Sequence, residues 1–145
     1  CAATAAHGSL ARRNILRKER GAGDTGHGAG FVRVLEFKHR LRVCNAYPYS
    51  GGMDVFRGKE RLTEKQPMAY KDCRDFHSQL RAGDKLEFNI GDASAGTFSV
   101  SELPSNDAVM LLVVHRHDTV STAVSFESHV FANLKDAQVA IIDTY

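Results

Sequence analysis

The chain has no tryptophan, and aromatic residues fill only 8% of its 145 positions. A hydrophobic core must therefore be mainly aliphatic. Long apolar runs are missing too: the longest, residues 108–114, has the length of a strand, whereas a helix that crosses a bilayer needs about 18–20 apolar residues. The sequence thus predicts no transmembrane span. Its length and its 43% hydrophobic composition favour one domain of ordinary size with a tail.

Cysteine is scarce and lacks the spacing of a metal site. Cys1, Cys44 and Cys73 are odd in number and contain no Cys-x-x-Cys pair, so they fit neither a disulfide framework nor a zinc site. Two alternatives remain open for Cys44 and Cys73. They are thiols without a redox role, or they form a bridge between neighbouring strands.

Signatures of catalysis are also missing. The chain has no Gly-x-Ser-x-Gly elbow, and its serines at positions 121, 125 and 128 lie beside no evident base. The glycine-rich run GAGDTGHGAG at residues 21–30 follows no predicted strand and lacks the Gly-Lys-Ser/Thr ending of a phosphate-binding loop. We therefore expect a protein that is not an enzyme and holds no cofactor.

A histidine pair is the strongest candidate for metal chemistry. In a strand, His115 and His117 point to the same face, with about 6–7 Å between them. His129, His77 or Asp118 could supply a third ligand, but none has the spacing of a known motif. We favour a strand end with hydrogen-bonding or interface roles, and keep a metal site as the lesser alternative.

Charge divides the chain into two parts. Residues 1–42 carry nine Lys/Arg and three acidic residues, whereas residues 43–145 carry ten and fourteen. We predict that residues 1–30 form an extended, basic, glycine-rich arm and that residues 31–145 form the folded domain. Arg12, Arg13 and Arg17 would tether the arm to an acidic protein surface or anionic lipid, although a solvated tail is the alternative. The basic cluster has no interleaved aromatic residues, so we expect no nucleic-acid partner.

The hydrophobic pattern predicts an all-β fold. Short strand patterns are separated by turn signals every 8–14 residues, and no long helical pattern occurs. This spacing indicates an antiparallel β-sandwich of seven to eight strands, with a small barrel as the alternative. Residues 31–36 alternate only partly, and 68–76 suggest a strand with a bulge. The clearer strand patterns lie at residues 41–46, 53–57, 68–76, 85–90, 95–100, 108–115, 119–126 and 138–144.

The two ends suggest processing. The chain begins CAATAAHGSLARRN, which is rich in small residues and arginine, and it ends within an apolar pattern. We expect the beginning to be the remnant of a targeting peptide or the start of a mature protein released from one.

Two resemblances add to this interpretation. The stretch RVCNAYPYSGGMDVFRGKERL resembles the opening of a widespread, uncharacterised family of β-sandwich domains. The match is carried by Arg42, Val43, Pro48, Asp54, Val55 and Gly58.

A second resemblance covers about residues 42–145. It is to nucleus-encoded plastid proteins of red-lineage algae that are peripheral subunits of photosystem I. The phrases that carry it are NAYPYSGGMDV, YKDCRDF, GDKLEFNIGDASAGTFSV, HRHDTVSTAVSFESHVF and AQVAIIDTY. The resemblance implies a subunit without pigment, docked on the stromal side of the thylakoid membrane.

We therefore expect a structural accessory subunit of a thylakoid complex, in particular algal photosystem I. Aromatic residues and arginine dominate the energetics of protein interfaces, and this guides the choice of contact residues. The predicted contacts, with the aromatic side chains expected to be exposed, are Arg12, Arg13, Arg17, Tyr47, Tyr49, Phe131 and Tyr145. The alternative function is a free-standing β-sandwich binding module that holds a metal through His115 and His117.

Overall fold

A computed structural model describes residues 35–144, which form two four-stranded sheets and no helix. The all-β sandwich predicted from the sequence is therefore confirmed, and its strands number eight in this range. The arm predicted over residues 1–30 and Tyr145 lie outside the described residues. The strands are β1 (His39–Asn45), β2 (Met53–Arg57), β3 (Glu60–Arg61), β4 (Cys73–Phe76), β5 (Lys85–Ile90), β6 (Ala93–Ser99), β7 (Ala108–Arg116) and β8 (Val124–Ala132).

Sheet A has the strand order β4-β1-β7-β8, and sheet B has the order β3-β2-β5-β6. The pairing is antiparallel except between β1 and β7, which run parallel from His39 opposite Ala108 to Asn45 opposite Val114. The sandwich is thus mostly, not wholly, antiparallel. Parallel neighbours need a long connection, and here it comprises the four strands of sheet B (β2, β3, β5 and β6) and the edge strand β4 of sheet A.

Alternation along the strands places the core between the two sheets. In β7, every second residue from Ala108 to Val114 is buried, while the residues between them are half-buried on the outer face. Strands β1, β2 and β5 alternate in the same way. The core is mainly aliphatic, as expected, with Phe88 as its largest fully buried side chain. Other members of this core are Leu41, Val43, Met53, Val55, Met68, Leu86, Met110, Leu112 and Val114.

The structure decides between the two alternatives for Cys44 and Cys73, of which the sequence favoured unbridged thiols. Cys44 and Cys73 lie opposite each other in the antiparallel β1–β4 pair, form a disulfide and have Cα atoms 4.1 Å apart. Of the two alternatives left open by the sequence, the structure has the bridged one. It ties an edge strand to its neighbour across a sequence separation of 29 residues.

A bulge lies immediately before β4. The amide of Asn45 donates to the Asp72 carbonyl, and the amide of Lys71 donates to the Asn45 carbonyl, both at 2.8 Å. Lys71 and Asp72 thus lie opposite the single residue Asn45. Lys71, the first of the two, has a φ of 68°. Glycine is the usual residue there because it reaches positive φ without steric cost. The strand predicted over residues 68–76 is consequently shorter and spans only Cys73–Phe76.

One predicted strand begins too early, and another is not a strand. Residues 119–123 form a turn because the carboxylate of Asp118 accepts hydrogen bonds from the amides of Val120 and Ser121, so β8 begins only at Val124. Residues 138–144 alternate between exposed and half-buried but pair with no strand in the described range. We call residues 133–144 the C-terminal segment.

Candidate interaction surface

The outer face of sheet A carries a half-buried apolar area at one end. Phe131 of β8 lies opposite Val109 of β7, and its ring meets that of His129 edge to face with centroids 4.6 Å apart. Leu111 and the exposed Leu134, which follows β8, complete the area, which we call the outer-face patch (Val109, Leu111, Phe131 and Leu134). The patch lines a hollow of about 320 Å³ together with Arg42, Asp136 and Gln138.

Polar groups form the rim of this hollow. Arg42 is held by Asp75 in two parallel hydrogen bonds, Nε to Oδ1 at 2.7 Å and Nη2 to Oδ2 at 2.9 Å. Gln138 donates through Nε2 to the carbonyls of Ala132 and Asn133, which anchors the C-terminal segment at the end of β8. An apolar centre with an ordered polar rim is the arrangement found at sites of protein contact.

The C-terminal segment adds further apolar surface. Val139 is 87% exposed and Ile141 is 95% exposed, while Ala140 and Ile142 between and after them are half-buried. Ile142 also helps to line a second hollow, of about 550 Å³, near the disulfide at the other end of β1. The segment therefore presents one row of side chains to the body of the domain and the alternate row to its surroundings.

The predicted contact residues differ in their positions. Phe131 lies in the outer-face patch and is half-buried. Tyr49 is exposed at the tip of the turn after β1, with its ring against Gly51, where an added Cβ would lie 2.4 Å from the ring. Arg12, Arg13, Arg17 and Tyr145 lie outside the described residues. An interface role for these residues remains a prediction.

The expectation that Tyr47 is exposed is wrong, since it is only 3% exposed. Its amide donates to Oδ1 of the buried Asn45 at 2.9 Å, and this bond turns the chain back over the sandwich. The guanidinium of Arg116 lies 5.6 Å from the ring centroid and covers it. Asn45 also donates through Nδ2 to the Met68 carbonyl at 2.8 Å, so its side chain joins three segments. Tyr47 is a core residue rather than a contact residue.

Of the two histidines of the alternative metal site, His115 lies in β7 and His117 lies just beyond its end, and each has another partner. His115 contacts the Arg116 carbonyl through Nδ1 at 3.1 Å, and its Nε2 lies 3.7 Å from Glu127. His117 shares a 2.8 Å hydrogen bond with the Ser125 hydroxyl through Nδ1. Among residues 35–144, no group of three His, Cys, Asp or Glu side chains is arranged to hold a metal ion.

Each suggested third ligand is occupied or distant. Both carboxylate oxygens of Asp118 serve the turn at residues 119–123, and these hydrogen bonds, led by those from the amides of Ser121 and Val120, lower the pKa of the Asp118 carboxyl group. His129 lies opposite Leu111, four residues along β8 from the partner of His115, which is about 13 Å in a strand. His77 follows β4 at the opposite edge of sheet A.

The opposite side of the sandwich, around β3 and β4, is rich in arginine. Four arginine–carboxylate pairs lie there in the described part of the chain, each with its closest N–O distance between 2.7 and 2.8 Å: Arg42–Asp75, Arg57–Glu60, Arg61–Asp54 and Arg74–Asp72. Arg74 also donates to the Gln66 and Pro67 carbonyls. These four guanidinium groups are paired within the domain, and the Arg42–Asp75 pair also borders the outer-face patch.

The fold places the chain among all-β sandwich proteins. No protein-family model, curated protein or solved structure matches it.

Sequence reasoning missed the two features that most clearly point outward. Val139 and Ile141 were assigned to a paired strand because alternation alone does not distinguish a strand from an extended segment lying on a sheet. The edge position of β8 was also missed. Its sequence, VSFESHVFA, contains no lysine, arginine or proline across nine residues, so it lacks the usual signal of an edge strand.

Proposed function

We propose that the chain is a non-catalytic structural accessory subunit of a thylakoid membrane complex, in particular algal photosystem I. In this proposal it docks on the stromal side and stabilises contacts between subunits. The observation that carries the proposal of a docking protein is the outer-face patch together with the exposed side chains of Val139 and Ile141. The choice of complex is supported by the resemblance of residues 42–145 to peripheral subunits of photosystem I.

The patch has properties that suit docking. Covering Phe131 and Leu134 would remove apolar surface from water, which is favourable by about 25 cal/mol per Å². The rim would lose little on contact, because Arg42 keeps Asp75 as its partner whether or not another protein is present. A half-buried apolar centre with satisfied polar neighbours can therefore be covered without leaving an unpaired charge.

The sequence of the arm supports the same function. Residues 1–42 hold nine Lys/Arg and three acidic residues, and Arg12, Arg13 and Arg17 belong to this excess. Such a segment is attracted to acidic protein surfaces and to anionic lipid. Among the residues that the structure describes, none forms a helix long and apolar enough to cross a membrane. We accordingly propose peripheral attachment, with the arm as a tether and the patch as the specific contact.

Reconstitution tests this proposal. The full chain would be mixed with gently solubilised thylakoid membranes of a red-lineage alga and separated on a native gradient. We expect the chain to migrate with photosystem I, and we expect Phe131→Ser combined with Leu134→Ser to weaken that association at least tenfold, since about 1.4 kcal/mol corresponds to a factor of ten.

A matched control keeps the result specific. Tyr70 is exposed and packs beside Lys71 near the disulfide, away from the patch, so Tyr70→Ser should leave migration unchanged. Migration of the unaltered chain apart from all thylakoid complexes would refute the proposed function. Equal effects of the patch and control variants would refute the assignment of the patch.

A further inference from the structure

Strand β8 forms an edge of sheet A that no other strand covers within residues 35–144. It is nine residues long, whereas the opposite edge strand β4 has four. Proteins usually protect long edges with lysine, proline or bulges, because a row of unpaired backbone groups is a template for another strand. The sequence of β8 contains no lysine, arginine or proline, and its register with β7 is unbroken.

The direction of the unpaired backbone groups follows from the register. The amide of His117 donates to the Ala123 carbonyl at 3.0 Å, in line with the β7–β8 ladder. Backbone groups alternate in direction along a strand, so residues 125, 127, 129 and 131 are directed to β7. The amides and carbonyls of Phe126, Ser128 and Val130 are therefore directed away from the sheet. These three residues supply six groups that a further strand can pair.

The sequence of β8 is complementary to itself when it runs antiparallel about Ser128. Phe126 then lies opposite Val130 of the second copy, on the side chain face that packs on sheet B. Glu127 lies opposite His129 of the second copy on the outer face. The two-fold axis produces the same pair a second time, between His129 of the first copy and Glu127 of the second. A carboxylate then faces an imidazole, which can donate a hydrogen bond to it. All six outward backbone groups are paired in this register.

We infer that β8 is a dimerisation edge, at which a second copy of this chain adds antiparallel and centred on Ser128. The two copies of sheet A then form one continuous sheet of eight strands. Glu127 lies between His115 of its own chain, 3.7 Å away, and His129 of the second copy. Pairing extends over Phe126–Val130, since the Ala132 carbonyl already accepts from Gln138. The inference does not depend on the proposed function.

Cross-linking tests the position of the axis. Two residues on a two-fold axis between antiparallel strands face each other with Cα atoms about 5.5 Å apart, which a disulfide can span. In full chains carrying Cys1→Ser, we expect Ser128→Cys to form a covalent dimer on mild oxidation. Thr97→Cys, on the exposed face of the other long edge strand, serves as the control and should stay monomeric. Equal cross-linking by both variants would overturn the inference.

Charge exchange tests the register independently. Sedimentation of the unaltered full chain should show a dimer that dissociates on dilution. His129→Glu places two like charges opposite each other, and we expect the dissociation constant to rise on the order of tenfold. Glu127→His should have a similar effect, and the double variant Glu127→His/His129→Glu should return the constant to within about threefold of the original because the opposed pairs are restored.

A control for folding distinguishes a weakened dimer from an unfolded variant. Circular dichroism of each variant establishes that the monomer is folded before its dimerisation is compared. A chain that stays monomeric at about 100 μM would overturn the inference. So would a dimer that both single variants leave unchanged, or a double variant that is as weak as the single ones.

Discussion

The two lateral sides of the sandwich are closed by different means. On one side, the short strands β3 and β4 are held by the Cys44–Cys73 disulfide and by the four arginine–carboxylate pairs found in the described residues. On the other side, β6 and β8 are seven and nine residues long and contain a single charged residue, Glu127. There the sheets are held together by packing, with the rings of Phe98 and Phe126 5.7 Å apart, edge to face.

The difference separates a side that is held by side-chain bonds from a side that is open to the contacts proposed above. Ion pairs and a covalent bond hold the first side, and its edge strands β3 and β4, of two and four residues, offer few backbone groups to a partner. The second side keeps its backbone groups and apolar side chains available, at β8 and at the neighbouring outer-face patch.

Removing the disulfide should lower the stability of the domain more than any other change proposed here. A cross-link over a 29-residue separation restricts the unfolded chain by about 3–4 kcal/mol. We expect Cys44→Ala/Cys73→Ala to lower the free energy of unfolding in urea by that amount, with Cys1→Ser as a control that changes nothing. A loss below about 1 kcal/mol would mean that the bridge does not stabilise this side.

Packing on the opposite side is tested at Gly96. A Cβ on this residue of β6 would lie 2.7 Å from Cγ2 of Val124 and 3.2 Å from the ring of Phe126. We expect Gly96→Ala to lower stability by roughly 1–3 kcal/mol, because one strand must move away from the other. Thr97→Ala, at the exposed neighbouring residue, is the matched control for urea unfolding. Equal stability of both variants would show that the two edges are not in close contact.

A gain in stability is expected from a substitution at the bulge. Lys71 adopts a φ of 68°, a conformation that costs a residue with a side chain roughly 1–2 kcal/mol, whereas glycine adopts it at little steric cost. After allowing for the greater entropy of glycine in the unfolded chain, Lys71→Gly should raise the free energy of unfolding by up to about 1 kcal/mol. Lys65→Gly, in the preceding loop, should not. Destabilisation by Lys71→Gly would contradict the assigned bulge.

The smallest effect is expected from a single ion pair. The side chains of Arg42 and Asp75 are 51% and 48% exposed, so solvent screening limits their pair to about 0.2–1 kcal/mol in spite of its two hydrogen bonds. A double-mutant cycle with Arg42→Ala and Asp75→Ala measures this coupling, and added salt should reduce it. A coupling of several kcal/mol that does not respond to salt would contradict this account.

The sequence carried enough information for the class of fold and for its best-bounded strands. Residues 53–57 and 85–90 were predicted with the bounds of β2 and β5 because clear alternation is flanked there by glycine turns at Gly52, Gly58 and Gly91. The parallel pairing of β1 with β7 was not foreseen. Register between distant strands depends on the path of the whole chain, and no local pattern reports it.

The surface was harder to predict than the core. Tyr47 was expected outside because aromatic residues are common at interfaces, but Oδ1 of Asn45 accepts from its amide while Nδ2 of Asn45 donates to the Met68 carbonyl, and these bonds hold the turn inward. The alternation at residues 138–144 predicts a strand paired within a sheet, whereas the segment lies outside both sheets. In each case the deciding contact is with a residue far away in sequence or with the backbone, which composition and periodicity do not register.

Hydrogen exchange at single amides tests the difference between the two sides most directly. At low concentration of the full chain, the amides of Phe126, Ser128 and Val130 should exchange much faster than those of Glu127 and His129, which are directed to β7. As the concentration rises, we expect the three outward amides to become protected, while the outward amide of Asp75 on β4 does not change. Fast exchange of the three amides at every concentration, or equal protection of Asp75, would contradict the account.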